Sequence, residues 1–470
     1  MALKFAGQQV AIITDDIRKQ LLQTVFDESG DSDVANNYYV GYAKSTEWDA
    51  TDLAPTPENT NREEKQFRYN LQSVKAIEGR SFVVPRFNWT SGRIYSAYDD
   101  NTDGHPVQSF YVLTEDNNVY LCVRQGKTTT GAPKASSNKP DHTNVTYPVE
   151  NDGYVWKYLY TLTTNDQNRF TTANYIPVSL VDSAESTDPT FAQFTVQEAA
   201  ISGQIAGFRI VNNGTGFDNE GTLSITVEGD GGGCHARGII DTVTETLIDV
   251  QIADSAGGYP FGRGYNKAIV TITGGGDNAT GASVVPIFAP KNGLGADPRD
   301  DLKSTALMMN IKPIGGVEVD GVNKFVINND FRQVGLLRNP ADSSGLVNIT
   351  TSASTALSKF DMTSKSVIDF STDEIVTGDN SGAKAYIDFY SDSSPGQIWW
   401  HQDETTGFKE FDIAGNENIT TPSGAQAQIA SKTNSEVDIF SGDLLYIDNR
   451  PIAISRSEDQ TEDVKVVIQL

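Results

Sequence analysis

Gly153-Tyr-Val-Trp-Lys-Tyr-Leu159 is the stretch from which the fold can be read. In a strand, successive side chains point to opposite faces. Tyr154, Trp156 and Tyr158 then share one face, and Val155, Lys157 and Leu159 share the other. Short runs of the same character surround it: Ser81–Phe87, Ser109–Thr114, Val119–Val123 and Val155–Leu162, all rich in β-branched and aromatic residues. Glu115-Asp-Asn-Asn118 reads as the hairpin turn between two of them. Thr128–Asp141, rich in Ser, Thr, Lys and Pro, reads as an exposed loop.

Two helices are expected before these strands. Ile13, Ile17, Leu21 and Val25 recur every fourth residue, which predicts one helix with that stripe against a core. Thr14 is its expected cap, Asp15 and Asp16 suit the positive end of its dipole, and Gly30 follows it. A second helix is expected over Arg62–Ile77, with Phe67, Leu71 and Val74 on one face and Asn61 and Glu64 at capping-box spacing.

The chain also repeats itself twice. Gly214-Thr-Gly-Phe217 followed by Ser224–Gly229 is echoed by Gly262-Arg-Gly-Tyr265 followed by Val270–Gly274. Such spacing signals repeated small β-modules, with Phe217 and Tyr265 expected to anchor each turn against the strand that follows. Later, Glu374-Ile-Val-Thr-Gly378 leads to Ser381-Gly-Ala-Lys-Ala385, and Glu417-Asn-Ile-Thr420 leads to Ser423-Gly-Ala-Gln-Ala427. These read as two β-hairpin units in tandem that add size and contact surface.

Composition narrows the function classes. A length of 470 residues exceeds one hydrophobic core, so two to four domains are expected. A net charge of −26 repels phosphate backbones and anionic lipid, which argues against nucleic-acid and membrane partners. Cys122 and Cys234 make neither a disulfide framework nor a thiolate metal cage, and they suit a protein folded in a reducing cytosol. The N-terminal residues lack the apolar run of a signal peptide.

No catalytic, cofactor-binding or metal site is expected. His105, His142, His235 and His401 are dispersed and read as loop or surface residues. Gly-x-Ser-x-Gly, the P-loop and the Rossmann fingerprint are missing, so Gly229-Asp-Gly-Gly-Gly233 reads as a tight turn. Asp99-Asp-Asn101-Thr-Asp103-Gly104 matches the opening of a calcium loop, but Phe110 stands where the bidentate Glu belongs. An Asp/Asn-rich turn is the simpler account. Any one carboxylate pair is uninformative for glycoside cleavage in a chain with 62 acidic residues.

Five blocks, in order along the chain, resemble the peripheral, homodimeric baseplate wedge subunit of T-even-type contractile-tailed phages. They are Tyr39-Val-Gly-Tyr-Ala-Lys-Ser-Thr-Glu-Trp48; Val83-Val-Pro-Arg86 with Trp89 and Arg93-Ile-Tyr95; Asp152-Gly-Tyr-Val-Trp-Lys-Tyr-Leu159; Asn329-Asp-Phe-Arg-Gln333 with Arg338-Asn-Pro340; and Leu445-Tyr-Ile-Asp-Asn-Arg-Pro451 with Asp459-Gln-Thr-Glu462. About 190–295 and 350–437 have no counterpart in that pattern, as in the longer versions of cyanobacterial phages. The resemblance implies an α+β fold, predominantly antiparallel β, with a two-domain β-sandwich-like core and inserted small β-repeat modules. A discontinuous first domain (1–84, 300–349 and 438–470) would join the N-terminal helices to the C-terminal strands. A second would span 85–299, and 350–437 would be an insertion. The implied function is structural and not enzymatic: a virion protein of the tail baseplate, assembled in the host cytoplasm with other wedge proteins. No cofactor is implied. A glycan-binding adhesin and a polysaccharide-degrading tail enzyme are the rival readings. Trp399 and Trp400 are candidate contact residues, with a core position equally open.

Overall fold

The computed structural model describes residues 2–4, 10–12, 14–29, 38–48, 54–218, 222–253, 261–312, 325–345, 353–394, 396–457 and 460–470. Gly30, Ile13 and Asp459 lie outside them. The architecture is α+β and mainly antiparallel β, built as several small sheets and one closed barrel. The chain forms two units. One comprises Met1–Leu22, Ser81–Met308 and Val467–Leu470; the other comprises Gln23–Arg80 and Met309–Val466. The stretch 190–295 therefore belongs to the first unit and 350–437 to the second.

The first unit is built on Val155–Thr161, which pairs with Asn118–Arg124, itself hairpinned to Tyr111–Leu113. Thr114 and Asn118 close that hairpin, with Asn117 at φ 62. The face expected to carry Tyr154, Trp156 and Tyr158 is fully buried with Tyr95, Tyr120 and Val112. Tyr154 stacks on Trp156 at 5.6 Å, and Tyr95 meets Trp156 edge-on at 5.5 Å. Aromatic pairs at such spacings add about 0.5–1.5 kcal/mol each beyond area burial.

The first repeat pair also lies in this unit, and its two copies embrace each other. Strand Ser224–Gly229 pairs antiparallel with Ala268–Thr273. Gly214 and Gly216, and likewise Gly262 and Gly264, have positive φ, which a Cβ would strain. Phe217 and Tyr265 each lie against the first glycine of their own motif. Each ring also packs on a glycine after the strand of the other copy, Phe217 at Gly275 and Tyr265 at Gly231. The anchorage expected within each copy is therefore exchanged between copies, because antiparallel pairing brings the start of one strand beside the end of the other.

In the second unit a five-stranded sheet runs in the order Ala353–Thr355, Leu71–Ala76, Tyr38–Ala43, Asp330–Arg338, Asp443–Ser455. The helix expected over Arg62–Ile77 is two elements. It spans Asn61–Tyr69 and is capped by the Thr60 hydroxyl, which accepts from Glu63 N, so Asn61 is not the cap. Asn70 closes it by donating its side-chain amide to Gln66 O at 2.8 Å, and the strand Leu71–Ala76 follows. Phe67, Leu71 and Val74 still share one core, so helical spacing survived a change of element.

The first helix is Asp15–Glu28. Its buried residue is Leu22, while Ile17 and Leu21 are exposed. A second stripe at the same spacing, Arg18, Leu22 and Phe26, faces inward instead, with Arg80 lying 4.4 Å over the Phe26 ring. Periodicity establishes the helix but not which of two adjacent stripes meets the core.

The tandem hairpins expected at 350–437 are one closed six-stranded barrel. One copy supplies Ser358–Thr363, Ile375–Gly378 and Lys384–Ser391; the other supplies Gly396–His401, Asn418–Thr420 and Gln426–Thr433. The first strands of the copies pair with each other, as do the second strands. The third strand of each copy pairs with the first strand of the other. The barrel core is correspondingly duplicated: Val376 and Ile419, Ala383 and Ala425, Ala385 and Ala427, Ile387 and Ile429 are all buried. Each Ser-Gly turn is held by the glutamate of the opposite copy. Ser423 Oγ donates to Glu374 at 2.9 Å, and Ser381 donates both N–H and Oγ to Glu417 at 2.9 Å. Trp400 is buried in this barrel, stacked on Phe360 at 4.7 Å, so it is not a surface contact residue. Trp399 is half-buried beside Phe389.

Candidate functional site

The strand Val155–Thr161 also presents its second face, and there Lys157 stands among apolar neighbours, 4% exposed. Its ammonium lies 4.8 Å from the centroid of the Tyr147 ring. Burial lowers the Lys157 pKa, and the nearby Asp301 carboxyl partly opposes the shift. Asp301 is fully buried, which raises its pKa well above the usual range against the pull of Lys157. Gly295 N donates to Asp301 Oδ2 at 2.8 Å, while Oδ1 has no partner. Gly295 has φ +88, and a Cβ there would meet Lys157 Cε, so the glycine gives the lysine its space.

Lys157 opens on a cleft of about 1480 Å³ within the first unit. Its walls are the 96–108 loop, the end of Asn118–Arg124, and the strands Ile205–Thr215 and Thr246–Ile252. This exceeds the few hundred to about 1,000 Å³ of an ordinary ligand pocket. Tyr147 and Phe261 stand together on the lining, ring centroids 4.8 Å apart.

The Asp99–Asp103 turn borders the same cleft, and its carboxylates are already engaged. Arg209 Nε donates to Asp99 Oδ2 at 3.0 Å, and its Nη2 donates to Asp100 Oδ1 at 2.7 Å. Phe288 N donates to Asp100 Oδ2 at 3.0 Å, and Asn101 N to Asp99 Oδ1 at 2.8 Å. Burial raises the Asp99 pKa, but the Arg209 and Asn101 hydrogen bonds outweigh it and the net shift is downward. Phe110, at the place of the calcium glutamate, is buried. Among the described residues no group of three or more His, Cys, Asp or Glu could hold a metal ion. Calcium is therefore expected to leave the melting temperature unchanged, since a stabilising ion would have to displace Arg209. A calcium-dependent rise in a thermal melt would contradict this account of the turn.

Three histidines lie where the sequence puts them, outside the strands: His105 and His142 half-buried, His235 exposed. His401 does not. It ends a barrel strand, is buried, and its Nδ1 lies 2.6 Å from Asp388 Oδ2. Ser45 Oγ and Gln72 Nε2 donate to Asp388 Oδ1 at 3.1 and 3.4 Å. His401 Nε2 has no partner among the described residues. Burial lowers the His401 pKa, but the charges of Asp388 and Asp403 outweigh it and the net shift is upward. The serine bonds the aspartate and not the histidine, so the three do not form a nucleophilic relay.

Neither buried pair was foreseen from sequence. Lys157 carried a readable signal, a single lysine on an otherwise apolar strand face. Asp388 and His401 carried none, since they meet only through pairing of neighbouring barrel strands. No family model and no curated protein matches this chain.

Proposed function

We propose that this chain is a structural subunit of a contractile-tail baseplate, a wedge protein that assembles as a homodimer with neighbouring wedge proteins. One observation carries the reading. Three of the five colinear blocks that resemble the wedge family, far apart in sequence, lie as adjacent strands of one sheet: Tyr39–Ala43 beside Asp330–Arg338 beside Asp443–Ser455. The joins between blocks are specific. Gln333 Nε2 donates to Asn449 Oδ1 at 2.8 Å, both buried, and Trp48 Nε1 donates to Arg450 O at 2.9 Å. A fourth block, Asp152–Leu159, supplies the aromatic centre of the other unit. Blocks brought together in this way build a scaffold.

The scaffold also offers contact surface. Asp443–Ser455 ends the sheet with Leu445, Tyr446 and Ile452 exposed, and exposed apolar side chains on a sheet-end strand favour contact with another chain. Antibody-gold labelling of intact phage particles with serum against this chain tests the reading. Label confined to the tail-end plate is the expected result. Label at fibre tips, or on no part of the particle, overturns it.

A further inference from the structure

The cleft of the first unit differs in charge from the molecule that carries it. Arg124, Lys127, Lys157, Arg209 and Arg237 line it against Asp99, Asp103 and Asp249, in a chain whose net charge is −26. Lys127 is paired with Asp249 at 2.7 Å and Arg209 with Asp99. Lys157 is different: among the described residues nothing accepts a hydrogen bond from its ammonium, although the side chain is more than nine-tenths buried. Gln204, 7% exposed, likewise lines the cleft with no partner for its side-chain amide among those residues. Two largely buried polar side chains thus turn their tips to one space, the Lys157 ammonium beside the Tyr147 ring and the Asp301 carboxyl, with hydrogen-bonding capacity left for a molecule in the cleft.

The remaining lining narrows the chemistry. Tyr147 and Phe261, packed on each other, remain partly exposed on the lining, and Thr146 adds a hydroxyl. Aromatic faces with amides and hydroxyls suit the apolar face and hydroxyl edge of a sugar ring, while the ammonium suits a carboxylate. We infer that this cleft binds an acidic oligosaccharide, with a uronate carboxylate against the Lys157 ammonium and a sugar ring against Tyr147 and Phe261. The inference stands independently of the baseplate reading.

The test is calorimetric titration of the full chain with a short oligogalacturonate, a neutral oligogalactose and a polyglutamate peptide. Saturable binding of the uronate is expected, with the neutral sugar much weaker. Lys157→Met is expected to weaken binding at least about tenfold, the order for one charge-assisted hydrogen bond. Phe261→Leu, which leaves Lys157 and Asp301 in place, is expected to weaken it severalfold and guards against a Lys157→Met variant that misfolds. Equal binding of the neutral sugar, tighter binding of polyglutamate, binding unchanged in Phe261→Leu, or no binding of the uronate would each overturn the inference. Tighter binding of polyglutamate would assign the cleft to an acidic protein segment.

Discussion

Replacing Phe67 with alanine is expected to destabilise the second unit by about 3–5 kcal/mol, the cost of emptying a fully buried aromatic site. The ring is 0% exposed and sits over a pair of glycines that face each other across two strands, Gly41 and Gly335. A Cβ on Gly335 would lie 2.8 and 2.9 Å from the Cε atoms of that ring, and one on Gly41 would lie 2.8 Å from Leu71 Cδ1. The two glycines form the hollow that the ring fills. Gly335→Ala is therefore expected to cost about 1–3 kcal/mol through overpacking. In the Phe67→Ala background most of that cost is expected to vanish, because the added methyl then enters vacated space. Hydrogen exchange of Tyr38–Ala43 and Asp330–Arg338 reads the effect locally, which matters in a two-unit chain where one global transition is not assured. Equal cost of Gly335→Ala in both backgrounds would show that the hollow does not set the fit.

That hollow shows what the sequence made legible and what it hid. Phe67, Leu71 and Val74 were recognisable as one buried set from spacing alone. The break at Asn70 was not, because spacings of three and four residues fit a helix end followed by a strand as well as a continuous helix. The repeats were visible as repeats, since glycines at positive φ and Ser-Gly turns leave a local signature. Their exchange of strands, rings and glutamates was invisible, because it depends on pairing between residues about forty apart. The buried titratable groups follow the same rule. Lys157 was conspicuous on its strand, whereas Asp301 and Asp388 are each one carboxylate among 62 acidic residues until the chain folds.

The Asp388–His401 pair carries the largest expected dependence of stability on pH. A histidine whose pKa is raised on folding holds its proton more tightly in the native state. Its contribution is complete below the unfolded value of about 6.5 and is lost as pH rises through the higher folded value. The charged groups acting on His401 are Asp388 and Asp403, which raise its pKa, and Lys44, which lowers it. Asp373 also feels the charge of Asp388, and its own pKa is raised by partial desolvation and by the charges of Asp388 and Asp330. Asp388→Ala removes the acceptor shared by His401, Ser45 and Gln72, and breaking a buried pair from one side costs about 3–5 kcal/mol. That cost is expected in full near pH 6 and in part near pH 9, where the imidazole is neutral with or without its partner. The net charge of −26 makes the stability of the whole chain fall as pH rises, so the quantity to read is the difference between wild type and variant at each pH. His401→Gln, which keeps a hydrogen-bond donor near Asp388 but cannot titrate, is expected to flatten the wild-type slope above about pH 6.5. A slope that survives His401→Gln would place the titration elsewhere. A cost of Asp388→Ala that does not change with pH would mean that the carboxylate serves Ser45 and Gln72 alone, joining the barrel to the sheet by neutral hydrogen bonds.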